Sequence, residues 1–116
     1  MRRAVWHTPR MAEDRQQQLD RLVRLIVAEV GPLRVVLFGS AARGESTETS
    51  DVDLLVVVPD GTPRRGTAMR IYGSITDVTL PFDIVVATPG DLEKYGAAPG
   101  LIYHHILRDG RELYAA

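Results

Sequence analysis

Residues 51–58 read Asp-Val-Asp-Leu-Leu-Val-Val-Val, an aliphatic run with the look of a fully buried strand that nevertheless opens on two aspartates one residue apart. A shorter apolar run, Arg34 to Phe38, precedes it and ends in Gly39-Ser40, with ten residues between Ser40 and Asp51. Successive strand side chains point to opposite faces, so Asp51 and Asp53 share one face, roughly 6–7 Å apart, while Val52 turns away. Two carboxylates held that close repel, and the double anion is unfavourable unless cations lie between them. The chain has no cysteine, which leaves oxygen and imidazole donors for any metal and makes a hard cation such as magnesium the fitting kind.

Two such ions about 3.5–4 Å apart form the arrangement that clamps the attacking and leaving oxygens in phosphoryl or nucleotidyl transfer. A third carboxylate is then needed to complete a metal shell and draw a proton from the acceptor. Asp83 is the candidate, because it too opens a strongly apolar run, Phe82 to Ala87 after Pro81. If that strand pairs beside the second, the three acids converge at one end of a sheet. Gly39-Ser40 supplies the phosphate side: glycine lets the backbone approach an anion, and the turn aims N–H groups and the Ser40 hydroxyl at it. The P-loop pattern with its lysine is absent, so the site is not of the Walker type.

The spacing of Leu19, Leu22, Val23, Ile26, Val27 and Val30 predicts a helix over 13–30, stopped by Gly31-Pro32. Strands follow at 34–38 and 51–58, with one short helical turn around Ala41 to Arg43 between them. A helix over 63–76 carries Ala68, Ile71, Tyr72 and Ile75 at core spacing; a strand over 82–87 comes next. Thr88-Pro89-Gly90-Asp91 has an N-cap and a proline at the first helical position, which predicts a helix to about Tyr95. Another helix is expected over 99–108 and a last short strand over 112–114. The loop between the first two strands is too short for a parallel crossover, so the expectation is an α/β (α+β) fold: a small mixed β-sheet flanked by helices.

With 116 residues the chain has room for one domain, 1–116. Its 45% hydrophobic and 25% charged residues are those of a soluble protein, and the longest apolar run, Leu54 to Val58, is far short of the roughly 20 residues of a membrane helix. No signal-peptide pattern is read at the basic N-terminus, and a cytoplasmic location is expected. A net charge of −1 gives no global field for nucleic acid, so strong nucleic-acid binding is not expected.

The segment "LFGSAARGESTETSDVDLLVV" resembles the signature of the nucleotidyltransferase superfamily that includes DNA polymerase beta, and "GSAARGE" with "SDVDLLV" is similar to the minimal nucleotidyltransferases, short proteins often encoded beside a HEPN-domain partner. The resemblance spans about Val35 to Val86. It implies a polymerase-beta palm-like fold in which Asp51 and Asp53 bind two Mg2+ ions, Asp83 completes the catalytic metal site, Gly39 and Ser40 hold the triphosphate, and Arg43 helps to hold phosphates or to order the loop. It further implies transfer of a nucleoside monophosphate, AMP from ATP, to a hydroxyl. The partner it names is a HEPN-type toxin, neutralised by binding or by adenylylation of a tyrosine. Larger relatives carry a further domain that grips base or acceptor, and little chain is left for one here.

Other readings compete for the same residues. Asp51 and Asp53 could cap a strand-start turn, Ser40 could cap the short helical turn, and Asp83 could pair with an arginine. Arg64 and Arg65 read as a solvated helix start, and Trp6 as a packing anchor. His7, His104 and His105 lack a second ligand at metal spacing and receive no role. At the level of function the rivals are a module that masks a partner without turnover, and a small-molecule nucleotidyltransferase.

Overall fold

The computed structural model describes residues 13–45, 51–98 and 102–116. Along them run α1 (Glu13–Val30), β1 (Arg34–Phe38), β2 (Val52–Val57), α2 (Arg64–Ser74), β3 (Phe82–Ala87), α3 (Pro89–Tyr95), α4 (Ile102–Asp109) and β4 (Arg111–Ala115). Trp6 and His7 lie outside the described residues, as do most of the loop before Asp51 and the expected start of α4 at 99–101.

The strands form one mixed sheet in the order β3-β2-β1-β4. β1 pairs antiparallel with β2, from Arg34 opposite Val57 to Phe38 opposite Asp53, and antiparallel with β4 on its other side. β2 and β3 run parallel, in a register that sets Asp53 directly beside Asp83. Parallel neighbours need a crossover, and α2 supplies it between them.

The buried run of β2 explains the layering. Leu54, Leu55, Val56 and Val57 are each at most 1% exposed, which requires cover on both faces of the sheet. On one face Leu54 and Val56 join Val35 and Leu37 against Leu19, Leu22 and Ile26 of α1 and Ile71 of α2. On the other, Val36, Leu55, Val57 and Ala87 pack under Ile106 of α4, with Leu92 of α3 and Tyr103 beside them. Each such side chain taken from water contributes about 1.5–3 kcal/mol before the ordering of the chain is counted. Among the described residues no helix is long and apolar enough to cross a membrane.

The expected bounds of α1, β1, β3 and α3 coincide with the observed ones. β2 is shorter by a residue at each end, because Asp51 is exposed and Val58 leads into Pro59, though the Val58 N–H still donates to the Ala87 carbonyl at 2.9 Å. The expected helical turn at Ala41 to Arg43 is a tight turn, closed by the Arg43 and Glu45 N–H groups donating to the Ser40 carbonyl at 3.2 and 2.9 Å.

α3 starts with a reciprocal cap: the Asp91 N–H donates to Thr88 Oγ1 at 3.2 Å, and the Thr88 N–H donates to Asp91 Oδ2 at 3.0 Å. Arg64 at the start of α2 adds its guanidinium, Nη1 lying 2.6 and 2.7 Å from the two carboxylate oxygens. The Arg64 hydrogen bond, with the Thr88 groups, holds the Asp91 carboxyl below the usual range. A lowered carboxylate stabilises the fold above its unfolded pKa and loses that contribution as pH falls through the folded value. Asp91→Ala is therefore expected to lose about 1 kcal/mol at neutral pH, mostly the cap, and to converge with the parent protein in strong acid. Denaturant melts at pH 7 and pH 2 check this.

Candidate active site

The carboxylates sit where three strand ends meet. β1 exits at Phe38, opposite Asp53, and Asp53 stands beside Asp83 across the parallel pair. Asp53 has the parity of Leu55 and Val57, which places it on the face covered by α3 and α4, at the end of the sheet where β2 and β3 begin. Asp51, two residues earlier, shares that parity. Asp53 is half-buried, while Asp51 and Asp83 are exposed.

The electrostatics follow from this placement. Burial, then the negative charge of Asp83, then that of Asp51 push the Asp53 carboxyl above its ordinary range. The charges of Asp83 and Asp51 thus act on Asp53, and the three acids concentrate negative charge at this end of the sheet. The donors are all hard oxygens, and their repulsion is of the kind a divalent cation relieves, so the set fits magnesium in its chemistry. Among the described residues no three His, Asp or Glu side chains are already gathered as a closed chelate. The carboxylates share a sheet end and a face.

Gly39 closes the site from the β1 side. Its φ of 75° is left-handed backbone, and a Cβ built there would lie 2.5 Å from Asp53 Oδ2, closer than real Cβ contacts come. The backbone of the Gly39-Ser40 turn thus rests directly against the Asp53 carboxylate, and no side chain fits between. Ser40 begins the tight turn whose N–H groups fold back on its own carbonyl.

Arg43 lies in the same turn, where its Nε donates to Glu45 Oε1 at 3.1 Å, an exposed pair. Its charge also reaches Asp109 at the end of α4, whose carboxyl is held low chiefly by the adjacent Arg108. Of the residues read as bystanders, Arg64 is committed to Asp91, His104 places Nδ1 3.2 Å from the Gly96 carbonyl, and His105 is exposed. Besides the Arg64–Asp91 pair, sequence reasoning misses the Glu45 partner of Arg43 and the Tyr72 hydroxyl, which accepts the Ile84 N–H at 2.8 Å. Tyr72 had the spacing of a core residue of α2. An amphipathic ring with a polar tip at the margin of a core stripe is the one sequence signal that could have marked it.

The chain belongs to the nucleotidyltransferase domain family, whose pattern its residues 19–108 match. A Methanocaldococcus jannaschii protein named "putative protein adenylyltransferase" is 39% identical over 54 residues, 47% of this chain and 54% of the relative. The match thus spans about half the length of that curated relative. Among solved structures, a "putative nucleotidyltransferase" from Sulfolobus solfataricus superposes with a TM-score of 0.61 at 19% identity, covering 88% of this chain and 81% of that one. A toxin–antitoxin structure with AMP-PNP superposes with a TM-score of 0.52, also at 19% identity, covering 87% and 73% of the respective chains. At these identities the structural likeness is one of fold. The expected mixed α/β architecture and family membership are both borne out.

Proposed function

We propose that residues 1–116 act as one minimal nucleotidyltransferase domain that moves AMP from ATP, with magnesium, onto a protein tyrosine hydroxyl of a HEPN-type toxin in the cytoplasm. The observation that carries the reading is the register of Asp53 beside Asp83, with Asp51 on the same face and the Gly39 backbone against Asp53. The adenylyltransferase name of the relative and the toxin–antitoxin neighbour with AMP-PNP support the acceptor and partner classes.

In this reading Asp51 and Asp53 would hold two magnesium ions and Asp83 would complete the set; bound there, magnesium would supply positive charge to the triphosphate and to the pyrophosphate leaving group. Gly39 offers backbone without side-chain bulk, and the Ser40 N–H and hydroxyl donate to phosphate oxygens. Arg43, released from Glu45, adds a guanidinium to the phosphates. Asp83 takes the proton of the acceptor hydroxyl as its oxygen bonds to the α-phosphorus. The bond from that phosphorus to the α–β bridging oxygen breaks, and pyrophosphate leaves with the electron pair.

Incubation with magnesium and α-labelled ATP in lysate of the native host, beside an Asp51→Asn/Asp53→Asn control, tests the reading. A labelled protein band absent from the control is the expected result. Label in a small molecule overturns the protein acceptor, and no transfer at all favours a module that masks its partner without turnover.

A further inference from the structure

Among the described residues β3 is the outermost strand on its side of the sheet, so one row of its backbone N–H and C=O groups has no neighbouring strand there. The site depends on the first residues of this strand. From the inside they are pinned by the β2 register and by the Val52 N–H donating to the Pro81 carbonyl at 3.0 Å. From the outside, among the described residues, Tyr72 holds them. The ring of Tyr72, from α2, stacks on Phe82 with centroids 5.6 Å apart and planes 10° from parallel. The hydroxyl of the same Tyr72 accepts the outward-pointing Ile84 N–H at 2.8 Å. Tyr72 therefore grips the residue before Asp83 and the residue after it. The residue is 44% exposed, so the clamp sits at the surface margin of the sheet, beside the fully buried Ile71.

We propose that Tyr72 is the positioning residue for Asp83, clamping the edge strand on both sides of it so that the carboxylate is held at the register of Asp53. The inference rests on the reading of Asp83 as a working group of the site. An edge strand free to twist would carry an exposed aspartate through a wide arc, whereas a ring below and an acceptor beside the following peptide leave its Cα–Cβ direction fixed. Partners that orient a ligand or base are worth about 10–100-fold in activity or metal affinity when removed.

Tyr72→Phe keeps the ring on Phe82 and removes only the acceptor. The expected result is faster amide exchange at Ile84 in the metal-free protein and a fall in kcat of about 10-fold. KM for ATP stays within about twofold, because Gly39 and Ser40 are untouched, while the Mg2+ concentration for half-maximal rate rises, because Asp83 is one of the acids read as holding the ion. Met69→Ala, on the same helix at a residue 64% exposed, is the control and leaves all of these unchanged. A purely structural Tyr72 would lower the melting temperature without altering the Mg2+ requirement, and that result overturns the inference. So does a Tyr72→Phe protein with the parent's kcat and Ile84 exchange rate. An inactive parent protein would instead overturn the nucleotidyltransfer reading, which keeps the two failures apart.

Discussion

Asp53→Asn should abolish transfer and, in the same protein without metal, raise the melting temperature at neutral pH. The two effects have one cause. Asp53 is charged at a half-buried position beside Asp83 and Asp51, and its carboxyl is pushed above the ordinary range by burial first and by those two charges next. A carboxylate whose folded pKa is raised penalises the folded state wherever it is ionised. The penalty is full above the folded value and disappears as pH falls to the unfolded value of about 4. Asparagine removes the charge at nearly constant volume, so the variant should melt a few degrees higher at pH 7 and no higher at pH 3. Activity should fall by at least about 10³-fold, the scale of deleting one preorganised charge-stabilising group. A variant that melts lower than the parent at pH 7 would mean that the acids are satisfied by contacts within the fold.

Gly39→Ala is expected to damage both stability and transfer, by a different route. At φ 75° a side chain adds about 1–2 kcal/mol of backbone strain. The added Cβ also lies 2.5 Å from Asp53 Oδ2, so either the turn or the carboxylate has to move. A shift of about 1 Å in a reacting group can lower a rate about 10²-fold, which sets the expected loss of transfer. Gly61→Ala separates the two contributions. Gly61 has φ 90° and nothing within 4 Å of its added Cβ, so it carries the strain without the collision. Both variants should lose stability, and only Gly39→Ala should lose transfer. Equal kinetics in the two would show that the Gly39 backbone does not serve the site.

The parts of the fold legible in sequence are those with local punctuation. Gly31-Pro32 ends α1, Pro81 opens the way into β3, and Thr88-Pro89 with Asp91 begins α3, so these bounds follow from neighbouring residues. Asp51, Asp53 and Asp83 were legible as a set because each opens an apolar run. Their convergence depended on β3 pairing beside β2, which no local signal specifies; the parallel register supplies it. Other features were hidden for the same reason. The irregular register between β1 and β4 at Val35/Val36 and the commitment of Arg64 to Asp91 are set by distant parts of the chain. Tyr72 shows the limit most plainly. Helical spacing gave its placement beside the core, while its function as a brace on β3 requires knowing which strand lies at the edge.

The central claim is transfer of the α-phosphoryl nucleotide with loss of pyrophosphate, and the most direct measurement compares α-labelled with γ-labelled ATP in parallel magnesium-containing reactions with host lysate as acceptor. Label carried to the acceptor from the α position alone, and lost with Asp53→Asn, is the result this account predicts. Label carried from the γ position, or equal α-labelling by the Asp53→Asn protein, would contradict it.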